Sequence, residues 1–129
     1  MPVTKEFQGL RVLLVEDDVM ISLLFEDMLQ EFGCEIVGPA CDLKRAIDLA
    51  QGEASIDVAV LDVNLGGQVV FPVAEILAKR GVPILFATGL GADGLPVDWR
   101  GHQTIQKPMS MEQFAVSLGD TLRIHRGLD

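Results

Sequence analysis

The chain has 129 residues, 49% of them hydrophobic, with 10 Lys+Arg against 19 Asp+Glu and a formal net charge of −9. That length suits one compact domain with a sizeable core and leaves little room for a second. The acidic balance argues against nucleic acid and anionic membrane surfaces as primary partners, since both attract clustered Lys and Arg.

No apolar run approaches the roughly 20 residues of a membrane-spanning helix, and residues 1–9 lack the apolar stretch of a secretory signal. A cytoplasmic protein is therefore expected. Cys34 and Cys41 match no common zinc spacing and are expected as small buried or half-buried side chains in a reducing compartment.

The first continuous apolar run, Val12-Leu13-Leu14-Val15, predicts a strand buried on both faces. Ile21, Leu24, Phe25, Met28, Leu29 and Phe32 then recur at three- and four-residue steps, an amphipathic helix stopping at Gly33, with Asp18 as its N-cap. In that helix Met20 and Met28 are expected as packing residues. A mixed segment, Cys34-Glu35-Ile36-Val37, predicts an edge strand. Asp42 caps a second helix carrying Leu43, Ala46, Ile47 and Ala50 on one face.

Val58-Ala59-Val60-Leu61 predicts a third strand and a second central one. A third helix starts with Pro72 in its first turn and ends at Gly81. Pro83-Ile84-Leu85-Phe86-Ala87 predicts a fourth, buried strand. The breaker-rich segment from Gly89 to Pro96 predicts a loop or one short turn in place of a full helix. Gln103-Thr104-Ile105-Gln106 reads as a second edge strand. Ser110-Met111-Glu112-Gln113 is a capping-box pattern opening a last helix through Phe114, Leu118 and Leu122.

Strands alternating with helices indicate an α/β domain with right-handed crossovers and helices on both faces. The edge assignments fit a flavodoxin-like (βα)5 doubly wound parallel sheet of order 2-1-3-4-5, the fourth helix short or degenerate. The domain is placed at residues 10–126, between tails at 1–9 and 127–129.

In such a sheet, ligands bind beyond the carboxyl ends of the strands. There the first strand runs out into Glu16-Asp17-Asp18, the third into Asp62, the fourth into Thr88 and the fifth into Lys107-Pro108. Carboxylates about 4 Å apart repel by roughly 4 kcal/mol at a near-surface effective dielectric, so three together call for protonation or a counter-ion. A hard divalent cation, Mg²⁺ above all, resolves this. Glu16 and Asp17 with Asp62 from the neighbouring strand are placed to cradle it, and Lys107 adds a fixed positive charge. A metal, a lysine and a hydroxyl around one carboxylate suit phosphoryl transfer. Asp62, ending the central apolar strand, is the nucleophile of choice.

Leu14-Val15-Glu16-Asp17-Asp18, Val60-Leu61-Asp62-Val63-Asn64, Ala87-Thr88-Gly89 and Lys107-Pro108, in this order over residues 10–125, resemble the receiver domain of two-component response regulators. The resemblance implies that Asp62 accepts a phosphoryl group from a histidine kinase or phosphotransfer protein. It implies Mg²⁺ on the Asp17 and Asp62 carboxylates and the Asn64 backbone carbonyl, with Glu16 acting mainly through water. Thr88 would hydrogen-bond the phosphoryl group, Lys107 would pair with it, and the Lys107-Pro108 bond would be cis. Phe86-Ala87-Thr88-Gly89 further resembles the signature of the FAT GUY subfamily of stress-signalling receivers, whose kinases are often of the HWE or related types.

One departure stands out. Receivers ordinarily carry Tyr or Phe three residues before the lysine, and here that residue is Thr104. A gating role for residues 89–99 is the expected substitute for that aromatic switch.

The expected protein is thus a stand-alone phosphoacceptor, not an enzyme in the ordinary sense, that signals through protein contacts. It would dock its kinase near Met20-Ile21 and remain a monomer or form a weak phosphorylation-dependent dimer. The weighed alternatives are a phosphate-independent interaction module and an aspartyl-phosphate phosphohydrolase. Asp62-Val63-Asn64 lacks the second acid of the dehalogenase-like hydrolases, and flavin binding finds no phosphate loop after the first strand. His102 and His125 lack partners at metal spacing and are expected at the surface; for Trp99, a partner contact and a cap over the sheet edge stay open.

Overall fold

Continuous apolar runs in the sequence become strands covered on both sides. The computed structural model describes residues 5–89 and 95–125. Its elements are β1 (Arg11–Val15), α1 (Val19–Glu31), β2 (Glu35–Ala40), α2 (Leu43–Gly52), β3 (Val58–Asp62), β4 (Asn64–Leu65), β5 (Gln68–Val69), α3 (Phe71–Lys79), β6 (Ile84–Thr88), β7 (Gln103–Gln106) and α4 (Met111–His125). Single 3-10 turns form at Lys5–Phe7 and Val97–Trp99. The main sheet is parallel with order β2-β1-β3-β6-β7. Counted over its five strands, that is the expected 2-1-3-4-5 order with the two half-polar strands at the edges.

Alternate residues of each strand feed opposite layers. Leu13, Val15, Ala59, Leu61, Ile84 and Phe86 pack beneath α2 and α3. Val12, Leu14, Val58, Val60, Leu85 and Ala87 pack beneath α1 and α4. The helix ends follow the sequence signals. Asp18 accepts from the Met20 and Ile21 N–H groups, and Asp42 from that of Arg45. Ser110 and Gln113 bond reciprocally as a capping box. The Lys107-Pro108 bond is cis, as is Gly38-Pro39.

β2 runs three residues further than the sequence predicts. Gly38, at φ +102, allows the strand to shift register against β1, and a Cβ there would stand 3.1 Å from the Leu14 carbonyl oxygen. The extension ends with the Glu16 N–H donating to the Ala40 carbonyl at 3.0 Å, which fixes the backbone entering the acidic cluster.

Several single-residue expectations are corrected. Leu24 and Met20 are exposed, because the buried stripe of α1 centres on Phe25 and Leu29, and the rotation of 100° per residue carries Leu24 to its margin and Met20 beyond it. Cys41 is exposed, whereas Cys34 is half-buried as expected, its thiol pushed up to about 11 by burial. His102, expected at the surface, is half-buried against Phe86 and Trp99, and that burial lowers its pKa. The His125 side chain lies outside the described residues.

In the fourth crossover the described residues form only the turn at Val97–Trp99; residues 90–94 of the breaker segment lie outside the description. Trp99 stacks on Phe71 with ring centroids 5.6 Å apart and 18° between planes, and meets Phe86 edge-on at 5.8 Å. It is a cap over the α3 side of β6.

Within the segment set apart as the N-terminal tail, Phe7 is buried. Its ring lies 5.3 Å from that of Phe32, which continues to Phe114 and Phe25 under α1 and α4. Phe7→Ala is expected to cost about 3 kcal/mol of unfolding free energy, as truncated buried aromatics do; urea denaturation of the two proteins checks it.

Candidate functional site

Four strand ends meet at the carboxyl edge of the sheet. β1 delivers Glu16 and Asp17, β3 ends on Asp62, β6 ends on Thr88, and β7 leads into Lys107. The pairing of Thr88 with Gln106, and the Lys107 N–H donating to the Thr88 carbonyl at 2.9 Å, seat Lys107 beside β6. One cleft is lined by Glu16, Asp17, Asp62, Asn64, Thr88 and Lys107, together with Ile21 and Val69. The six residues singled out in the sequence are thus brought together.

Burial differs among them. Glu16 is 1% exposed and Asp62 5%, whereas Asp17 is open to solvent. Lys107 Nζ lies 3.2 Å from Glu16 Oε1 and 3.2 Å from Asp62 Oδ1, bridging two acids from adjacent strands. The second Glu16 oxygen accepts from the Asp18 N–H at 3.1 Å, which ties it to the start of α1. Thr88 is buried beside them.

One carboxylate oxygen each from Glu16, Asp17 and Asp62 lies within 4.8 Å of the others. Three negative charges against the one of Lys107 leave two uncompensated if all four groups are ionised. The Asp62 carboxyl absorbs the strain: burial first, then Glu16, pushes it up to about 7 against the pull of Lys107. Asp17 is held below its ordinary value, because hydrogen bonds from Asp62 and the Gly66 N–H outweigh the opposing effect of its slight burial. Lys107 is raised; burial works against this, and Asp62 and Glu16 overcome it. In the metal-free protein burial and the neighbouring acids thus favour the protonated form of Asp62.

This donor set fits a hard divalent cation. It is all oxygen, carries the two spare negative charges such an ion would neutralise, and already brings its ligand atoms close together.

Sequence reasoning missed the β4–β5 hairpin. Gly66 donates its N–H to Asp17 Oδ2 at 2.8 Å, and Asn64 Oδ1 accepts from the Gly67 N–H at 2.9 Å. The signal was the Gly66-Gly67 pair, a two-residue turn between strands too short to show alternation.

A family model, the response regulator receiver domain, matches residues 12–118. The chain belongs to the response regulator receiver family. Among solved receivers it is similar to SdrG from Sphingomonas melonis Fr1, at 35% identity and TM-score 0.78 over 90% of this chain and 98% of that one. The BeF3-activated conformation of SdrG from Pseudomonas melonis Fr1 matches at 36% identity and TM-score 0.75, over 87% and 95% of the respective chains. The transcriptional regulatory protein PdtaR of Mycobacterium tuberculosis is 38% identical over 79 residues, 60% of this chain and 38% of PdtaR. The chain spans about half or less of the curated relatives it matches. As a receiver it is a component of two-component signalling. No helix among its described residues is long and apolar enough to cross a membrane.

An Asp whose pKa is higher in the fold than in the unfolded chain binds its proton more tightly when folded. Its contribution therefore favours the fold at low pH and is lost as pH rises from about 4 to about 7. Without metal, Asp62→Asn is expected to be more stable than the parent by up to about 4 kcal/mol at pH 8. The gap should shrink as pH falls and close only below about pH 4, and denaturation across that range measures it.

Proposed function

We propose that this receiver takes a phosphoryl group on Asp62 from a histidine kinase or phosphotransfer protein and passes the signal on through protein contacts. The observation that carries the reading is the position of Asp62, buried at a strand end, with the Lys107 ammonium 3.2 Å from its Oδ1 and the Glu16 and Asp17 carboxylates beside it. The SdrG structure in a BeF3-activated conformation supports the same chemistry in a relative.

Each residue has a role. The ionised Asp62 oxygen attacks phosphorus as the bond to the donor imidazole breaks, and that bond's electrons return to the ring, which takes up a proton. Lys107 pairs with the incoming phosphoryl oxygens and keeps Asp62 oriented. Thr88, at the end of β6, hydrogen-bonds the phosphoryl group. Asp17, Asp62 and the Asn64 carbonyl would hold Mg²⁺, and Glu16, which anchors Lys107, would contribute through water. When bound, Mg²⁺ neutralises charge on the transferring group.

The exposed apolar side chains of α1, Val19, Met20, Leu23 and Leu24, form the face offered to the kinase. The resemblance of Phe86-Ala87-Thr88-Gly89 to the FAT GUY signature supports reading the chain as a receiver of that subfamily. The site acts as a phosphoacceptor with at most slow self-catalysed turnover.

Incubation with acetyl phosphate and Mg²⁺ should give a single phosphate adduct by intact-mass spectrometry, lost without Mg²⁺ and in Asp62→Asn. Steady hydrolysis of phosphate monoesters would overturn the reading in favour of a phosphohydrolase. Absence of both the adduct and beryllofluoride binding would overturn it in favour of a phosphate-independent module.

A further inference from the structure

The β4–β5 hairpin donates backbone hydrogen bonds to both carboxylates proposed to hold the cation. Asn64 pairs with Val69 and Leu65 with Gln68 around Gly66-Gly67, whose φ values of +58 and +92 are those a two-residue turn of this hand demands. Hydrogen-bonded and non-hydrogen-bonded pairs alternate along such a ladder. Because the Val70 N–H donates to the Val63 carbonyl, the Asn64–Val69 pair is a non-bonded one. The Asn64 N–H accordingly leaves the ladder and donates to Asp62 Oδ1 at 3.3 Å. Two residues on, the Gly66 N–H donates to Asp17 Oδ2 at 2.8 Å. The Asn64 side chain, accepting from the Gly67 N–H, locks the turn between them.

We propose that this hairpin is a bracket that positions Asp17 for the cation: the Gly66 N–H holds Oδ2, directing the other carboxylate oxygen towards Asp62. The inference rests on the metal reading above and goes beyond it, assigning Gly66 and Asn64 as positioning residues. Asp17 is the solvent-open member of the trio, so without the bracket its side chain would sample several rotamers and lose that freedom on binding. Meeting the cation with Asp17 already oriented avoids that cost. The bracket also joins β1 to the β3–α3 connection, so that cation binding and the start of α3 are mechanically linked.

The test uses the whole chain and Mg²⁺ alone. By NMR, the Gly66 amide proton should lie well downfield with a small temperature coefficient, and should remain so when Mg²⁺ saturates the site. Gly66→Pro, which removes the donor and cannot adopt the φ of +58 that the turn requires, unmakes the bracket as a whole and should weaken Mg²⁺ binding about tenfold. Gly66→Asn keeps the N–H and tolerates positive φ, so it should bind within about twofold of the parent. A Gly66 amide with solvent-like shift and exchange, or a folded Gly66→Pro protein with parental Mg²⁺ affinity, overturns the bracket. If the proline variant fails to fold, the amide measurement decides alone. If the parent shows no Mg²⁺-dependent change at Asp17 or Asp62, the metal reading fails and the bracket's role falls with it, while a downfield Gly66 amide identifies that as the cause.

Discussion

The Lys107 ammonium lies between a buried glutamate from the end of β1 and a buried aspartate from the end of β3, 3.2 Å from each. Two buried acids on adjacent strands are costly to ionise, and one lysine offsets only part of that cost. Much of the structure serves this arrangement. The strand order makes β1 and β3 neighbours and sets β6 beside β3. The Thr88–Gln106 pairing carries β7 to where Lys107 reaches across. The bulge at Gly38 lengthens β2 until its Ala40 carbonyl accepts from the Glu16 N–H. Burial first, and then the neighbouring Glu16, raises Asp62 against the pull of Lys107, and the charge that Lys107 leaves uncompensated is of the sign a divalent cation would neutralise.

The connection from this site to the rest of the fold runs through apolar surface on the α3 side. Phe86 precedes Ala87 and Thr88 on β6 and packs against Phe71, the first residue of α3, and against Trp99. Thr104, where receivers ordinarily carry an aromatic, is paired with Phe86. Besides Phe71 and Trp99, Phe86 meets the His102 ring edge-on, and His102 in turn meets Trp99. α3 also follows directly on the hairpin that touches Asp17 and Asp62, and its first residue, Phe71, belongs to the aromatic cluster.

The parts of this architecture that repeat a strong local signal were legible in the sequence. Apolar runs announced the central strands, Asp18, Asp42 and Ser110 announced helix starts, and acids, hydroxyl and lysine at four strand ends announced the site. What escaped depends on partners distant in sequence or on elements too short for periodicity. Phe7 joins the core because its ring packs on that of Phe32, distant in sequence. His102 is half-buried because Trp99 and Phe86 meet it. Leu24 belonged to an apolar pattern wider than the strip of α1 that the sheet covers. The hairpin has two-residue strands, and its function lies in backbone N–H groups that side-chain patterns do not report.

The central claim is that burial and the neighbouring acids favour the protonated form of Asp62 until a divalent cation replaces the proton. Carbon-detected NMR titration of the Asp62 carboxyl, with and without saturating Mg²⁺, tests this most directly. The account predicts titration near 7 in the metal-free protein, as burial and Glu16 demand, and a fall to the ordinary carboxylate range or below when Mg²⁺ is present. An Asp62 carboxyl that titrates near 4 in both conditions would contradict it.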